Sequence, residues 1–141
     1  MLTIRAAAWL LMAAWSLSFS GHRPRLQPAP PTGFALVEWF TSEGCSSCPP
    51  ADNLLPQLAA NNPQVIPLSF HVDYWNYLGW ADTLASKDNT DRQYAYARMF
   101  GRNGVYTPQA VLNGREHLNG ADISGIRSRI ESMPTTTHWR P

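Results

Sequence analysis

The sequence predicts an α/β fold of three layers, in which a mixed sheet of about four strands carries helices on both faces. Two apolar runs, Phe34–Phe40 and Val65–His71, are separated by a helical pattern, which is typical of parallel strands joined by a crossover helix. The pair Asn113-Gly114 then predicts a hairpin between two further strands. The resulting order of elements is β-α-β-α-β-β-α.

The composition favours a globular domain that does not bind nucleic acid. The 141 residues are 44% hydrophobic and 15% charged, with a formal net charge of +1. Such a chain is apolar enough for a packed core, and it lacks the basic block that nucleic-acid binding requires. The two cysteines are too few for a disulfide-rich scaffold, so hydrophobic burial must hold the fold together. We expect no cofactor.

The N-terminal residues predict export. Arg5 precedes an apolar run over residues 6–15, after which small residues appear. This pattern is typical of a signal peptide over residues 1–20, although the run also approaches the roughly 18 residues that a membrane anchor needs. Residues 21–32 are rich in proline and are predicted to be a linker. Both interpretations place the domain outside the cytoplasm, periplasmic or secreted, and in contact with a membrane only if the leader is uncleaved.

The folded domain is expected over residues 33–133, with an irregular tail at 134–141. Its first strand is nearly continuous in apolar residues, as in a sheet that is covered on both faces. The first helix is predicted from Pro49 to about Ala60. Pro56 predicts a kink or a restart of that helix, because an interior proline costs about 3 kcal/mol.

Turn and capping residues bound the later elements. Pro67 predicts that the second strand lies at an edge or contains a bulge. Asn89 or Thr90 is the predicted N-cap of the second helix. Asp122 is the predicted N-cap of the last helix, in which three isoleucines are spaced to share one face.

The motif Cys45-Ser46-Ser47-Cys48 lies between the first strand and the first helix, a position that suits thiol–disulfide exchange. Free N–H groups at a helix start stabilise a thiolate, so Cys45 is the predicted nucleophile and Cys48 the resolving thiol. Two alternatives remain open. Cys45, Cys48 and His71 would suit Cu(I) or Zn(II). The pair would otherwise be a structural disulfide in a redox-inert binding module, although so short a ring contributes only about 2 kcal/mol.

Three motifs carry a resemblance to a known family. They are Cys45-Ser46-Ser47-Cys48-Pro49-Pro50, His71-Val72-Asp73-Tyr74-Trp75, and Tyr106-Thr107-Pro108-Gln109 with Asn113-Gly114. With them the chain resembles a family of secreted, thioredoxin-like bacterial proteins that is catalogued only as a domain of unknown function. The resemblance implies a thioredoxin-like fold and an exported protein without an established substrate. Family members continue into a C-terminal β-rich region, so the chain resembles a short or truncated member.

The resemblance also implies a second half of the site. In the thioredoxin fold a cis-proline before the third strand faces the cysteines, which implies that Pro108 is cis. The residue before it, Thr107, would offer its backbone to an extended substrate. Tyr106 and Trp75 are further candidates for substrate contact.

Ionisable and aromatic side chains complete the predicted site. His71 and Asp73 are candidates for a proton relay, and Glu38 loosely resembles the buried acid of thioredoxins. The alternatives are a backbone-bonded His71 and a Glu38 that is paired near the surface. Arg92 is predicted on a solvated helix face. The aromatic loop is interpreted as an apolar lip for peptide substrate or as packing over the sheet, through Tyr74, Trp75, Tyr77 and Trp80.

Together these features predict an exported thiol–disulfide oxidoreductase. Its expected partners are protein or small-molecule thiols and disulfides. Another exported or membrane redox protein would supply or accept its electrons.

Overall fold

The computed structural model describes residues 33–133, so the predicted leader (1–20), linker (21–32) and tail (134–141) lie outside the described residues. Within that range the strands are β1 (Ala35–Thr41), β2 (Val65–His71), β3 (Gln109–Leu112) and β4 (Glu116–Asn119). The helices are α1 (Pro49–Asp52), α2 (Leu54–Asn61), α3 (Lys87–Met99) and α4 (Ile123–Ser132). This order confirms the predicted α/β class and is consistent with a thioredoxin-like three-layer fold. No helix in this part of the chain is long and apolar enough to cross a membrane.

The sheet is mixed, and its strand order is β2-β1-β3-β4. β1 pairs in parallel with β2 and antiparallel with β3, so the most apolar strand occupies an interior position. β2 is an edge strand, and its register runs without interruption through Pro67, opposite Val37. The predicted edge position is therefore confirmed, and the alternative bulge is absent from this strand.

Two apolar cores cover the two faces of the sheet, because successive side chains of a strand point to opposite sides. On one face, Val37 and Trp39 of β1 pack with Leu54 and Leu58 of α2 and with Ile126 of α4. The other core combines the buried residues Phe40, Val72 and Val111 with the partly buried rings of Phe70, Tyr74, Trp75, Tyr96 and Phe100.

The first helical segment is interrupted and restarts, as was predicted from Pro56, but the interruption lies before this proline. Asn53 is both the C-cap of α1 and the N-cap of α2. Pro56 consequently lies in the first turn of α2, where an N–H group would have no partner within the helix. The proline is accommodated there without the loss of a hydrogen bond.

The predicted N-cap of α3 was wrong by three or four residues. Ser86 caps this helix, and its hydroxyl accepts a hydrogen bond from the Asn89 N–H at 3.2 Å. Ser86 has extended backbone angles, with φ −139° and ψ 153°, whereas Asn89 and Thr90 already lie inside the helix. Capping requires an oxygen at the first non-helical residue, which is Ser86.

The C-terminal elements follow the predicted turn and cap. Asn113 and Gly114 have φ values of 49° and 66°, which suit the tight hairpin turn that joins β3 and β4. Asp122 caps α4 by accepting from the Gly125 N–H at 2.9 Å. The apolar face of α4 is narrower than predicted, because Ile126 is buried whereas Ile123 is 37% exposed.

Candidate redox site

The segments that the sequence singled out meet at one edge of the sheet. This edge is formed by the C-terminal ends of β1 and β2 and by the start of β3. β1 and β2 are parallel, so their last residues, Thr41 and His71, pair at this edge. β3 is antiparallel to β1 and begins at the same edge, where Gln109 pairs with Phe40. The turn after β1 and the loop before β3 are therefore neighbours.

The cysteine motif occupies the turn after β1. Cys45 and Cys48 form a disulfide with an S–S distance of 2.18 Å and a Cα–Cα distance of 5.4 Å. Cys48 is the N-cap of α1, and the turn is closed by a hydrogen bond of 3.1 Å from the Cys45 N–H to the Ser42 carbonyl. Ser47 Oγ lies 3.5 Å from Cys45 Sγ. A Cys-x-x-Cys disulfide at the start of a helix fits a redox motif.

Both cysteines are buried, which the sequence did not predict. Cys45 is 1% exposed and Cys48 is 0% exposed. The aromatic loop packs closely against the turn that carries the cysteines: a Cβ at Gly44 would lie only 3.0 Å from the Cβ of Trp75. Glycine at position 44 therefore lets Trp75 approach the residue next to Cys45.

The loop before β3 forms the second half of the site. The Thr107–Pro108 peptide bond is cis, as the resemblance implied. Gly120 packs directly on the proline: a Cβ at Gly120 would lie 2.7 Å from the Cβ of Pro108, and its N–H donates to the Pro108 carbonyl at 2.9 Å. Trp75 Nε1 donates to Thr107 Oγ1 at 2.8 Å, so Trp75 contacts both halves of the site.

Gln93 of α3, which sequence reasoning missed, holds this loop in place. Its side chain is fully buried and donates to the Tyr106 carbonyl at 2.7 Å and to Gln109 Oε1 at 2.8 Å. Its own Oε1 accepts from the Tyr74 hydroxyl at 3.1 Å. Burial raises the pKa of Tyr74 to about 12, although its side-chain hydrogen bonds with Thr107 and Gln93 lower it. One uncharged polar residue in a helix carries no sequence signal for such a role.

The side chain of Tyr106 is directed to β4. Its hydroxyl lies 2.9 Å from His117 Nδ1, and the Arg102 guanidinium lies 5.0 Å from the ring centroid. Burial raises the pKa of Tyr106. Its contribution to the site is therefore through the backbone carbonyl that Gln93 binds.

His71 pairs with Asp82, whereas the predicted relay joined it to Asp73. His71 Nδ1 lies 2.7 Å from Asp82 Oδ2, and the same oxygen accepts from the Glu43 N–H at 2.9 Å. Asp73 instead accepts from the Thr90 hydroxyl at 2.6 Å. Asp82 was missed because it lies within the aromatic loop, 11 residues after His71, with no local pattern to mark it.

Glu38 lies on the opposite face of the sheet from α1. It forms an ion pair with Arg92 of α3, whose guanidinium also lies over the rings of Phe70 and Tyr96 at 5.3 and 5.5 Å. Arg92 lies on an exposed face of α3, as predicted, although its guanidinium is paired with Glu38. Glu38 is therefore paired, as one of the two alternatives held, but it is buried and not near the surface, and the strand's alternation directs it away from the side on which Trp39 packs.

Asp52 is the carboxylate that the structure places on the motif's side of the sheet. It lies in α1, and its N–H donates to the Cys48 carbonyl at 2.9 Å. Its two oxygens accept from Trp39 Nε1 at 3.0 Å and from Thr41 Oγ1 at 2.9 Å. Sequence reasoning overlooked it in favour of Glu38.

The aromatic loop contains both packed and exposed rings. Tyr74 and Trp75 pack in the core beside α3. Tyr77 and Trp80 are 76% and 63% exposed, and Trp80 Nε1 donates to Glu43 Oε2 at 3.2 Å. Exposed Trp80 therefore contacts the turn that leads to Cys45, whereas exposed Tyr77 stacks on Trp75.

The structure does not assemble the alternative metal site. The sulfurs of Cys45 and Cys48 are bonded to each other, and His71 Nδ1 is bound to Asp82. Residues 33–133 contain no group of three or more His, Cys, Asp and Glu side chains that could hold a metal ion.

Comparisons with known proteins agree with the fold. A family model described as "Protein of unknown function (DUF1223)" matches residues 36–140. A crystal structure of a protein from Agrobacterium tumefaciens is 59% identical in sequence and superposes with a TM-score of 0.67, over 74% of this chain and 46% of that one. The chain thus spans less than half the length of that relative. No curated protein matches the chain.

Proposed function

The chain belongs to the family described as proteins of unknown function (DUF1223), and we propose that it is an exported thiol–disulfide oxidoreductase. The observation that carries the proposal is the position of the Cys45–Cys48 disulfide. It lies at the start of α1, at the sheet edge where Thr107 and Pro108 lead into β3. A redox pair beside an extended backbone segment is suited to exchange with a polypeptide.

The reaction is a pair of thiol–disulfide exchanges. A partner thiolate attacks Cys45 Sγ, so that a partner–Cys45 bond forms while the Cys45–Cys48 bond breaks. Cys48 leaves as a thiolate and takes a proton from solvent. A second partner thiolate then attacks the partner's sulfur in the mixed disulfide and releases Cys45. The partner loses two electrons and becomes a disulfide, and the two cysteines gain them; the reverse sequence reduces a partner disulfide.

Other residues support this chemistry around the disulfide. Thr107 offers a backbone segment for the substrate chain, and exposed Tyr77 and Trp80 offer apolar contact area to a polypeptide. His71, oriented by Asp82, is the candidate proton acceptor at this edge. Because Nδ1 contacts Asp82, Nε2 would be the ring nitrogen that accepts and releases the proton.

The N-terminal sequence supports the same proposal. The leader pattern over residues 1–20 would deliver the domain to a compartment in which disulfides persist. An exported or membrane redox protein there would return the pair to its working state. The direction of electron flow follows from the reduction potential of the pair.

The test is reduction of insulin and refolding of reduced RNase by the full chain. Cys45→Ser should abolish both activities, and Cys48→Ser should accumulate mixed disulfides that gel electrophoresis detects. Ser46→Ala, which leaves both sulfurs in place, is the matched control. A folded wild-type chain without activity in either assay would contradict the proposal. A disulfide that resists glutathione would favour the redox-inert module instead.

A further inference from the structure

We propose that Trp75 is a gate over the Cys45–Cys48 disulfide, and that it selects extended polypeptide thiols over small thiols. The inference deepens the proposed function and rests on it. Cys45 is 1% exposed and Cys48 is 0% exposed, whereas exchange requires a thiolate to reach a sulfur atom. A group that covers Cys45 therefore has to move before any partner can react.

Trp75 lies between the cysteine turn and the loop before β3. On one side, a Cβ at Gly44, the neighbour of Cys45, would lie 3.0 Å from the Cβ of Trp75. On the other side, Trp75 Nε1 donates to Thr107 Oγ1 at 2.8 Å. The side chain thus spans from the cysteine turn to the residue before Pro108, across the interval that a substrate enters.

The loop that carries Trp75 is closed at its base. Val72 and Ser86 form an isolated parallel bridge there, and the Ser86 N–H donates to the His71 carbonyl at 3.2 Å. The rings of Trp75 and Tyr77 stack with their centroids 6.4 Å apart. A partner that binds to exposed Tyr77 therefore contacts a ring that stacks on the gate residue.

The bond to Thr107 distinguishes polypeptides from small thiols. An extended chain that binds along Thr107 takes the place of the indole and compensates for the hydrogen bond that Trp75 loses. A small thiol makes no such contacts, so it reacts only in the fraction of molecules whose gate is already open. The exchange itself is unchanged: the partner sulfur bonds to Cys45 while Cys48 leaves as a thiolate.

The test measures the second-order rate at which dithiothreitol reduces the disulfide in the full chain. The reagent becomes its cyclic disulfide, and both cysteines become thiols. Trp75→Phe and Thr107→Val each remove one end of the hydrogen bond, so each should raise this rate by roughly 2- to 10-fold, the range that corresponds to one hydrogen bond. Because both changes remove the same bond, the double variant should react no faster than the faster single variant.

Two further variants separate the bond from general loosening. Thr107→Ser keeps the hydroxyl that accepts from Trp75 and should therefore react more slowly with dithiothreitol than Thr107→Val. Thr83→Val alters an exposed threonine of the same loop and is the matched control. In Trp75→Phe and Thr107→Val, the rate of exchange with a reduced, unfolded polypeptide should rise above its wild-type value by a smaller factor than the rate with dithiothreitol. Circular dichroism verifies folding, and if Trp75→Phe unfolds, Thr107→Val against Thr107→Ser decides the question.

Dithiothreitol tests the gate whether or not the chain catalyses exchange. Unchanged dithiothreitol rates in Trp75→Phe and Thr107→Val, or fully additive effects in the double variant, would overturn the gate. Equal acceleration with dithiothreitol and with polypeptide would overturn the selection. Accelerated reduction in a chain that is inactive towards insulin and RNase would contradict the proposed function while it supports the gate.

Discussion

Asp82 illustrates what one buried carboxylate contributes to the candidate site. Its oxygens accept from His71, from the Glu43 N–H before the cysteine motif, and from the Leu84 N–H within its own loop. Burial raises the pKa of this carboxyl, but these hydrogen bonds outweigh burial and hold the pKa below its usual value. The ionised carboxylate therefore ties the aromatic loop to the cysteine turn.

Asp82→Asn should remove a contribution to stability that depends on pH. Because the folded pKa lies below the usual value of 3.8, ionised Asp82 stabilises the fold fully above that value, and the contribution is lost as pH falls through the folded pKa. Urea unfolding should therefore show the largest loss in the variant near neutral pH and a shrinking difference below pH 3.8. Exposed Glu131→Gln is the control. A loss that does not vary with pH would contradict this role.

Gly120→Ala should destabilise the fold by about 1–3 kcal/mol, because overpacking forces neighbouring atoms to shift. The new Cβ would lie 2.7 Å from the Cβ of Pro108 and 3.1 Å from its carbonyl carbon, which is backbone and cannot rotate away. Gly104→Ala is the matched control, since a Cβ at Gly104 has no atom within 4 Å. Denaturant unfolding gives the free energy of unfolding of both variants. If Gly120→Ala were as stable as Gly104→Ala, the loop would have shifted to accommodate the new Cβ at little cost.

At the scale of elements, β1 and α3 decide which side chains the site receives. The pleat of β1 directs Trp39 towards α1 and Glu38 towards α3, so neighbouring residues serve different cores. α3 contributes Arg92 to Glu38 and Gln93 to the loop before β3. The helix thus supports the site from the face opposite to the cysteine helix.

Gln93→Leu tests the support that α3 provides. The substitution keeps the volume but leaves the Tyr106 carbonyl and the Gln109 side chain without their donor, which should cost about 1–3 kcal/mol. Tyr94→Phe, at an exposed neighbouring position, should change the free energy of unfolding by less than about 0.5 kcal/mol. Thermal and urea unfolding compare the two. A Gln93→Leu chain as stable as wild type would show that this network contributes little.

At the scale of the molecule, one parallel pair and one antiparallel pair bring distant segments to a common edge. The turn after β1, the end of β2 and the loop before β3 meet there because of the strand directions. The disulfide itself closes a ring of only four residues, Cys45–Cys48. Such a ring restricts the unfolded chain little, so the fold rests on its two apolar cores.

Reduction of the disulfide should consequently lower stability by no more than about 2 kcal/mol. Oxidised and reduced chains, unfolded in urea at the same pH, provide the comparison. A reduced form that is as stable as the oxidised form, or more stable, would identify the pair as an oxidant. Loss of the folded state on reduction would contradict the redox interpretation and favour a structural disulfide.

Local patterns in the sequence were sufficient for most of the strands and helices and for the Cys45–Cys48 pair. The apolar runs, the Asn113-Gly114 turn and the Asp122 cap depend on neighbouring residues, and the structure confirms them. The family motifs also implied the cis peptide bond at Pro108, which the structure contains. Each of these features depends on short-range chemistry, which a single sequence displays directly.

The partners of each ionisable and aromatic side chain were decided only by the tertiary structure. His71 pairs with Asp82, Glu38 pairs with Arg92, and Trp75 reaches Thr107, 32 residues away. These contacts depend on the pleat of β1 and on the path of a loop, and neither follows from residue type. The sequence alone determined that a Cys-x-x-Cys pair lies at a strand-to-helix turn. The packing of distant segments determined that this pair is buried, and that Trp75 extends from its turn to Thr107.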